Sequence, residues 1–100
     1  MLNISTQNEG NDYIVFLDGR LDVRAAADAD KEFTEIAAKA DNVILDCGKL
    51  EYIASAGLRA IKRLRLNMKE KKSPLKVRNV RPDVMDVFQM TGFAAMLVIE

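Results

Sequence analysis

The chain opens on alternation. Leu2, Ile4 and Thr6 alternate with polar neighbours, Asn8-Glu9-Gly10-Asn11-Asp12 supplies turn chemistry, and Tyr13 to Leu17 forms a second β-rich run. That pattern predicts a β-hairpin, with Asp18-Gly19 ending its second strand. The apolar period then lengthens from two to about 3.6 residues. Ala26, Ala29, Phe33, Ile36, Ala37 and Ala40 make one stripe of a helix expected from about Val23 to Ala40, with Asp22 placed to cap it. Val43-Ile44-Leu45, closed by Asp46, is a continuous apolar run that suits a strand covered on both faces. After a turn, Ile53-Ala54-Ser55-Ala56-Gly57-Leu58 opens a second helix, in which Leu58, Ile61, Leu64 and Met68 share a face and Arg59, Lys62, Arg63 and Lys69 lie mostly off it. Lys69-Glu70-Lys71-Lys72 complements the negative end of its dipole, and Pro74 blocks continuation. Leu75 and Val77 alternate in a fourth strand. Arg81-Pro82-Asp83 begins a short third helix with Val84, Val87 and Phe88 inward, Thr91-Gly92 ends it, and Met96 to Ile99 gives a last strand.

The order is β-β-α-β-α-β-α-β, and strands joined through helices lie parallel with right-handed crossovers. The expected fold is therefore α/β, a single domain over residues 1–100 with a mostly parallel sheet opened by a β-hairpin. Loops leaving the carboxyl ends of such strands gather functional groups, which would bring Asp22, Asp46 and Ser55 toward one end.

Composition narrows the chemistry. Fifteen basic residues balance fifteen acidic ones, so no global positive field argues for nucleic acid or an anionic membrane surface. Histidine is absent and Cys47 is alone, which removes histidine general-base chemistry, the common zinc sites and an internal disulfide. A reducing, cytoplasmic setting fits. Met1 to Ser5 lacks the basic segment and apolar run of a signal peptide, and the longest apolar run, Phe93 to Ile99, is too short to span a bilayer, so a soluble protein without direct membrane insertion is expected. No catalytic residue, cofactor site or metal set is read from the chain. Cys47 reads as a small core residue, and Met85, Met90 and Met96 with Phe88 and Phe93 as core with a fraction available to a partner.

The one hydroxyl at the strand-to-helix junction is Ser55. A serine there can cap free backbone N–H groups, and the same groups with the helix dipole favour a phosphate. Residue preference alone favours the cap. Arg59, Lys62 and Arg63 adjoin that position on the helix.

Four segments together resemble the STAS domains, a family named for sulfate transporters and anti-sigma factor antagonists. They are Phe16 to Asp22 (FLDGRLD), Val43 to Asp46 (VILD), Tyr52 to Arg59 (YIASAGLR), and Val80-Arg81-Pro82 followed by Thr91-Gly92-Phe93. The resemblance implies a non-enzymatic anti-sigma factor antagonist that binds an anti-sigma factor with serine kinase activity, frees a sigma factor for transcription, and is switched off by phosphorylation at Ser55. It implies a partner surface that includes Asp22, Asp46, Ala54, Ser55, Ala56 and Gly57, with no cofactor; the small residues at this helix entrance permit approach, and the cations Arg59 and Lys62 beside them add steering. Ala54 stands where many antagonists carry Asp and others Ser, which gives weight to a second reading: a non-phosphorylated adaptor subunit of a regulatory or membrane-transport complex. A third class, a receiver-like phosphoacceptor using Asp46, is disfavoured by the opening hairpin and by the lack of an acidic pair after the first strand.

Overall fold

The computed structural model describes residues 1–100. Its elements are β1 (Leu2–Glu9), β2 (Asp12–Leu21), α1 (Val23–Lys39), β3 (Asn42–Ile53), α2 (Ser55–Glu70), β4 (Lys76–Arg78), α3 (Pro82–Met90), a 3-10 turn (Phe93–Met96) and β5 (Val98–Ile99). They build one five-stranded sheet in the order β1-β2-β3-β4-β5, with β1 antiparallel to β2 and every later pair parallel. The expected α/β order is the one observed.

Two strands run further than their sequence suggests. Asp18-Gly19 does not end β2, which continues to Leu21, and Asp46 does not close β3, which continues to Ile53. The reason lies in the register. The two strands sustain each other across slips between Phe16 and Asp18 and between Gly19 and Arg20, so residues that would form turns in isolation stay paired. Gly19 takes φ +115°, and a Cβ there would collide with the Met1 carbonyl. At the other end, the expected strand Met96–Ile99 shortens to Val98–Ile99 because Phe93 to Met96 coil into a 3-10 turn after the left-handed Gly92.

The sheet has one covered and one uncovered face. Val15, Leu45, Val77 and Ile99 are in register across four strands, and the first three join a 24-residue core cluster with Ala29, Phe33 and Ile36 of α1, Ile61, Leu64 and Met68 of α2, and Val84 and Phe88 of α3. Ile14, Ile44, Lys76 and Val98 form the adjacent row, and side chains alternate across a sheet, so this row points the other way. Neither Ile14 nor Ile44 belongs to the core cluster, although both are buried. The apolar run at Val43-Ile44-Leu45 is thus not roofed on both faces by helices; Ile44 is shielded on the helix-free side by its sheet neighbours. Leu58, expected on the buried face of α2, is only half-buried, and Gly57 and Ala60 pack inward beside it. Val87 is likewise half-buried, and Met90 is 85% exposed. No helix is long and apolar enough to cross a membrane.

Candidate functional site

β2 and β3 end together. Leu21 pairs with Ile53, and the Ala54 N–H donates to the Leu21 carbonyl at 2.9 Å, so the chain turns into α1 and α2 from adjacent positions. At α1, Asp22 caps the helix as expected, its carboxylate accepting from the Ala25 N–H at 2.9 Å. That hydrogen bond, aided by nearby positive charge, holds the Asp22 pKa below its ordinary value, against a smaller effect of desolvation.

At α2 the cap differs from the expectation. Ala54 occupies the N-cap position, no side chain caps the helix, and Ser55 is the first helical residue. Ser55 is therefore not the N-cap. Its side chain is exposed and bonds to nothing within the chain, and the first intrahelical bond runs from the Leu58 N–H to the Ala54 carbonyl. The N–H groups of Ser55, Ala56 and Gly57 consequently have no acceptor in the protein. A hydroxyl that would satisfy one of them as a cap instead stands free.

Gly57 explains why the helix starts here. A Cβ at this position would lie 2.6 Å from Leu21 Cγ and 2.9 Å from the Leu21 carbonyl oxygen. The first turn of α2 thus rests directly on the ends of β2 and β3. Gly57 is buried, so its small size serves contact with Leu21 rather than the approach of a partner, contrary to its expected place on the partner surface. Ala54 and Ala56 are half-exposed, while Arg59 and Lys62 are exposed and free of ion pairs. Arg59 lies four residues after Ser55, on the same side of the helix. Arg63 is drawn toward α1, with Nε 3.4 Å from Asp30 Oδ1, a contact that lacks hydrogen-bond geometry. Between the helices, Val23, Ala26, Ala27, Ala56 and Ala60 line a shallow groove of about 230 Å³, edged by Asp30, Arg59 and Arg63.

Two features were absent from the sequence reading. Arg20 stacks over the Tyr52 ring at 4.3 Å beside this junction, and Val23 at the start of α1 is 71% exposed. The first depends on cross-strand pairing of Arg20 with Tyr52, which requires knowing that β2 and β3 both run past Asp18 and Asp46. An apolar residue just after a cap was the available signal for the second.

Asp46 is elsewhere. It pairs with Phe16 and Arg78, so it sits seven residues before the end of β3, roughly 20 Å back along the strand, on the helix-free face. The expected grouping of Asp22, Asp46 and Ser55 at one end does not form, because β3 continues past β4 and carries α2 away. The Asp46 carboxylate accepts from the Gly48 N–H at 2.9 Å, Arg78 Nε at 2.9 Å and Asn79 Nδ2 at 3.0 Å. Burial alone would raise its pKa, but these three donors and the guanidinium charge outweigh it and hold the group below its ordinary value. This network pins the turn from β4 toward α3, where Asn79 adopts φ +59°. Cys47, next to it, is fully buried and its thiol is pushed up to about 12 by desolvation and by the Asp46 charge.

Known proteins resemble this chain in sequence and in fold. The candidate anti-sigma factor antagonist BtrV of Bordetella bronchiseptica is 32% identical over 78 residues, 74% of this chain and 67% of that protein. An anti-sigma factor antagonist from Mycobacterium paratuberculosis superposes at a TM-score of 0.89 over 99% of this chain and 85% of its own, with 14% identity. The Bacillus cell fate determinant SpoIIAA in its phosphorylated form superposes at 0.75 over 100% of this chain and 91% of its own, with 15% identity. Its unphosphorylated form superposes at 0.76, over 100% and 87%, with 14% identity. These identities speak to the fold alone. The family model of the STAS domain matches residues 3–100, nearly the whole chain, and with the sheet order and paired helix starts described above it places the protein in the STAS domain family.

Proposed function

We propose that this chain is an anti-sigma factor antagonist: a non-enzymatic binding module that engages an anti-sigma factor with serine kinase activity in the cytoplasm and is switched off when that kinase phosphorylates Ser55. The observation that carries the reading is the free Ser55 hydroxyl at the first position of α2, above three backbone N–H groups without acceptors. A phosphate of charge about −1.5 to −2 there would meet those N–H groups, the positive end of the helix dipole and Arg59. The fold tolerates such a charge. The partner does not, because a surface shaped for a small neutral serine has to bury or repel a dianion, and a loss of about 2.7 kcal/mol lowers affinity about a hundredfold. Asp22, Ala54, Ser55, Ala56, Arg59 and Lys62 form the partner surface in this proposal. Asp46 drops out of the direct contact set and serves to pin the β4–α3 turn. BtrV, the relative at 32% identity, supports the class of function.

Intact-mass analysis after incubation with cell extract and ATP tests the switch. One added phosphate, lost in Ser55→Ala, is expected, followed by loss of binding to the kinase with an unchanged melting temperature. Phosphorylated protein that still binds as tightly as wild type, or that loses binding only by melting, refutes the switch. Ala54 favours a second reading, since an alanine before Ser55 leaves neither carboxylate nor hydroxyl for a kinase to recognise. In that case the chain is an unmodified adaptor, and its mass stays constant in extract.

A further inference from the structure

The outer edge of β1 is unprotected. The Arg20 N–H donates to the Met1 carbonyl at 3.1 Å, which fixes Met1 and Arg20 as a hydrogen-bonded antiparallel pair. Such pairs alternate, so with Leu2 opposite Gly19 the residues Asn3, Ser5, Gln7 and Glu9 direct their backbone groups toward β2. Leu2, Ile4, Thr6 and Asn8 direct theirs outward. No strand covers them, and β1 carries no proline, lysine or bulge of the kind that blunts an edge.

A cavity of about 540 Å³ lies between this edge and α1. Its floor is Leu2, Ile4, Ala25 and Ala29, and its rim carries the carboxylates of Asp22, Asp28 and Glu32 against two cations, Arg24 and the Met1 ammonium. Leu2 and Ile4 share a face with Leu17, on the side of the sheet where α1 packs. Every second residue of a strand added to β1 would therefore point into this cavity, and the others would lie beside the exposed polar side chains of Asn3, Ser5 and Gln7.

We propose that β1 accepts an extended segment of a partner protein as a sixth strand, one whose α1-facing side alternates lysine or arginine with an aliphatic residue and whose other side is polar. Backbone pairing supplies the affinity and the pocket supplies the selection. Charge decides against a second copy as the occupant. Two-fold pairing of β1 with itself would set one acidic rim against another, and Leu2–Glu9 brings no basic residue to meet Asp28 and Glu32. This surface shares Asp22 with the partner surface proposed around Ser55, but it does not depend on phosphorylation there.

The test uses the whole ¹⁵N-labelled protein and a blocked nonapeptide in which threonine alternates with lysine, valine, lysine and valine. At low salt, the amides of Leu2, Ile4, Thr6 and Asn8 should shift and gain exchange protection. Thr6→Pro removes one outward N–H without touching the β2 ladder and should weaken binding about fivefold. Asp28→Lys with Glu32→Lys, both on the exposed surface, should weaken it about tenfold, and so should replacing the peptide lysines by glutamate. No shift at millimolar peptide, shifts centred away from β1, or equal binding of the glutamate peptide overturns the proposal. Shifts in β1 on concentrating the protein alone identify a second copy and overturn it too.

Discussion

Replacing Gly57 by alanine sets opposing effects of known size against each other. Alanine is the better helix former, by about 1 kcal/mol in a helix interior and less in a first turn. Its methyl group would also bury apolar surface, at most about 0.8 kcal/mol. Against both stands the contact. The new Cβ would lie 2.6 Å from Leu21 Cγ, 2.9 Å from the Leu21 carbonyl oxygen and 3.0 Å from Ile53 Cγ1. Overpacking of this kind typically costs about 1–3 kcal/mol, and the routes to relief are closed. Leu21 is fully buried, and its carbonyl holds the Ala54 N–H at 2.9 Å, so moving it breaks the bond that seats α2. Burial of the methyl cannot be realised until the clash is relieved, which leaves a net loss of about 1–2 kcal/mol. For a domain of this size that is a fall in Tm of about 5–10 °C. Urea denaturation followed by circular dichroism gives the free energy, and amide shifts from Asp22 to Ala25 should report the displaced strand end. A Gly57→Ala protein as stable as wild type, or more so, refutes the packing argument and with it the claim that Leu21 sets the position of Ser55.

Asp46→Asn should cost about 2 kcal/mol at neutral pH, because Arg78 and Asn79 lose an ionised acceptor. Since the fold lowers the Asp46 pKa, its contribution is full above the unfolded value near pH 4 and is lost as pH falls through the folded value; the gap between wild type and variant should close over that interval in acid denaturation curves. Cys47, with a thiol pushed up to about 12 and no exposure, should resist iodoacetamide at pH 8 in the native state and react at once in urea; rapid native alkylation contradicts this. Arg59→Ala should leave the melting temperature unchanged, since the side chain is exposed and unpaired, yet slow association with the anti-sigma partner, more visibly at low salt. Stopped-flow association rates equal to wild type would move the interface off this helix face.

Periodicity carried most of the fold. The stripe on α1 was readable because Ala26, Ala29, Phe33, Ile36 and Ala37 all face one core, and Asp22 was readable as a cap because capping is a local interaction. What escaped was non-local. Asp18-Gly19 and Asp46 have turn chemistry, and only the partner strand across the sheet keeps those residues extended. Ser55 was misread by a single position for the same kind of reason: the cap site is set by where Gly57 meets Leu21, a tertiary contact, and not by the serine's own preference. Likewise the run Val43-Ile44-Leu45 gives no sign of which face lacks helices, since Ile44 is buried by sheet neighbours as thoroughly as its companions are by α1 and α2.

The position of Ser55 and the length of β3 are connected, and the connection bears on the proposed switch. A serine at the N-cap would spend its oxygen on the helix, and phosphorylating it would remove a cap before adding a charge. Placed one residue later, Ser55 has no structural bond to lose. Alanine at the cap position leaves the first-turn N–H groups available, so in the proposed switch the residue that offers a kinase neither carboxylate nor hydroxyl also leaves room for the phosphate. The long β3 then separates this site from the Asp46 network by roughly 20 Å. Charge added at Ser55 therefore acts on the helix start and on whatever docks there, while the turn that orders α3 is held by its own carboxylate at the far end of the same strand.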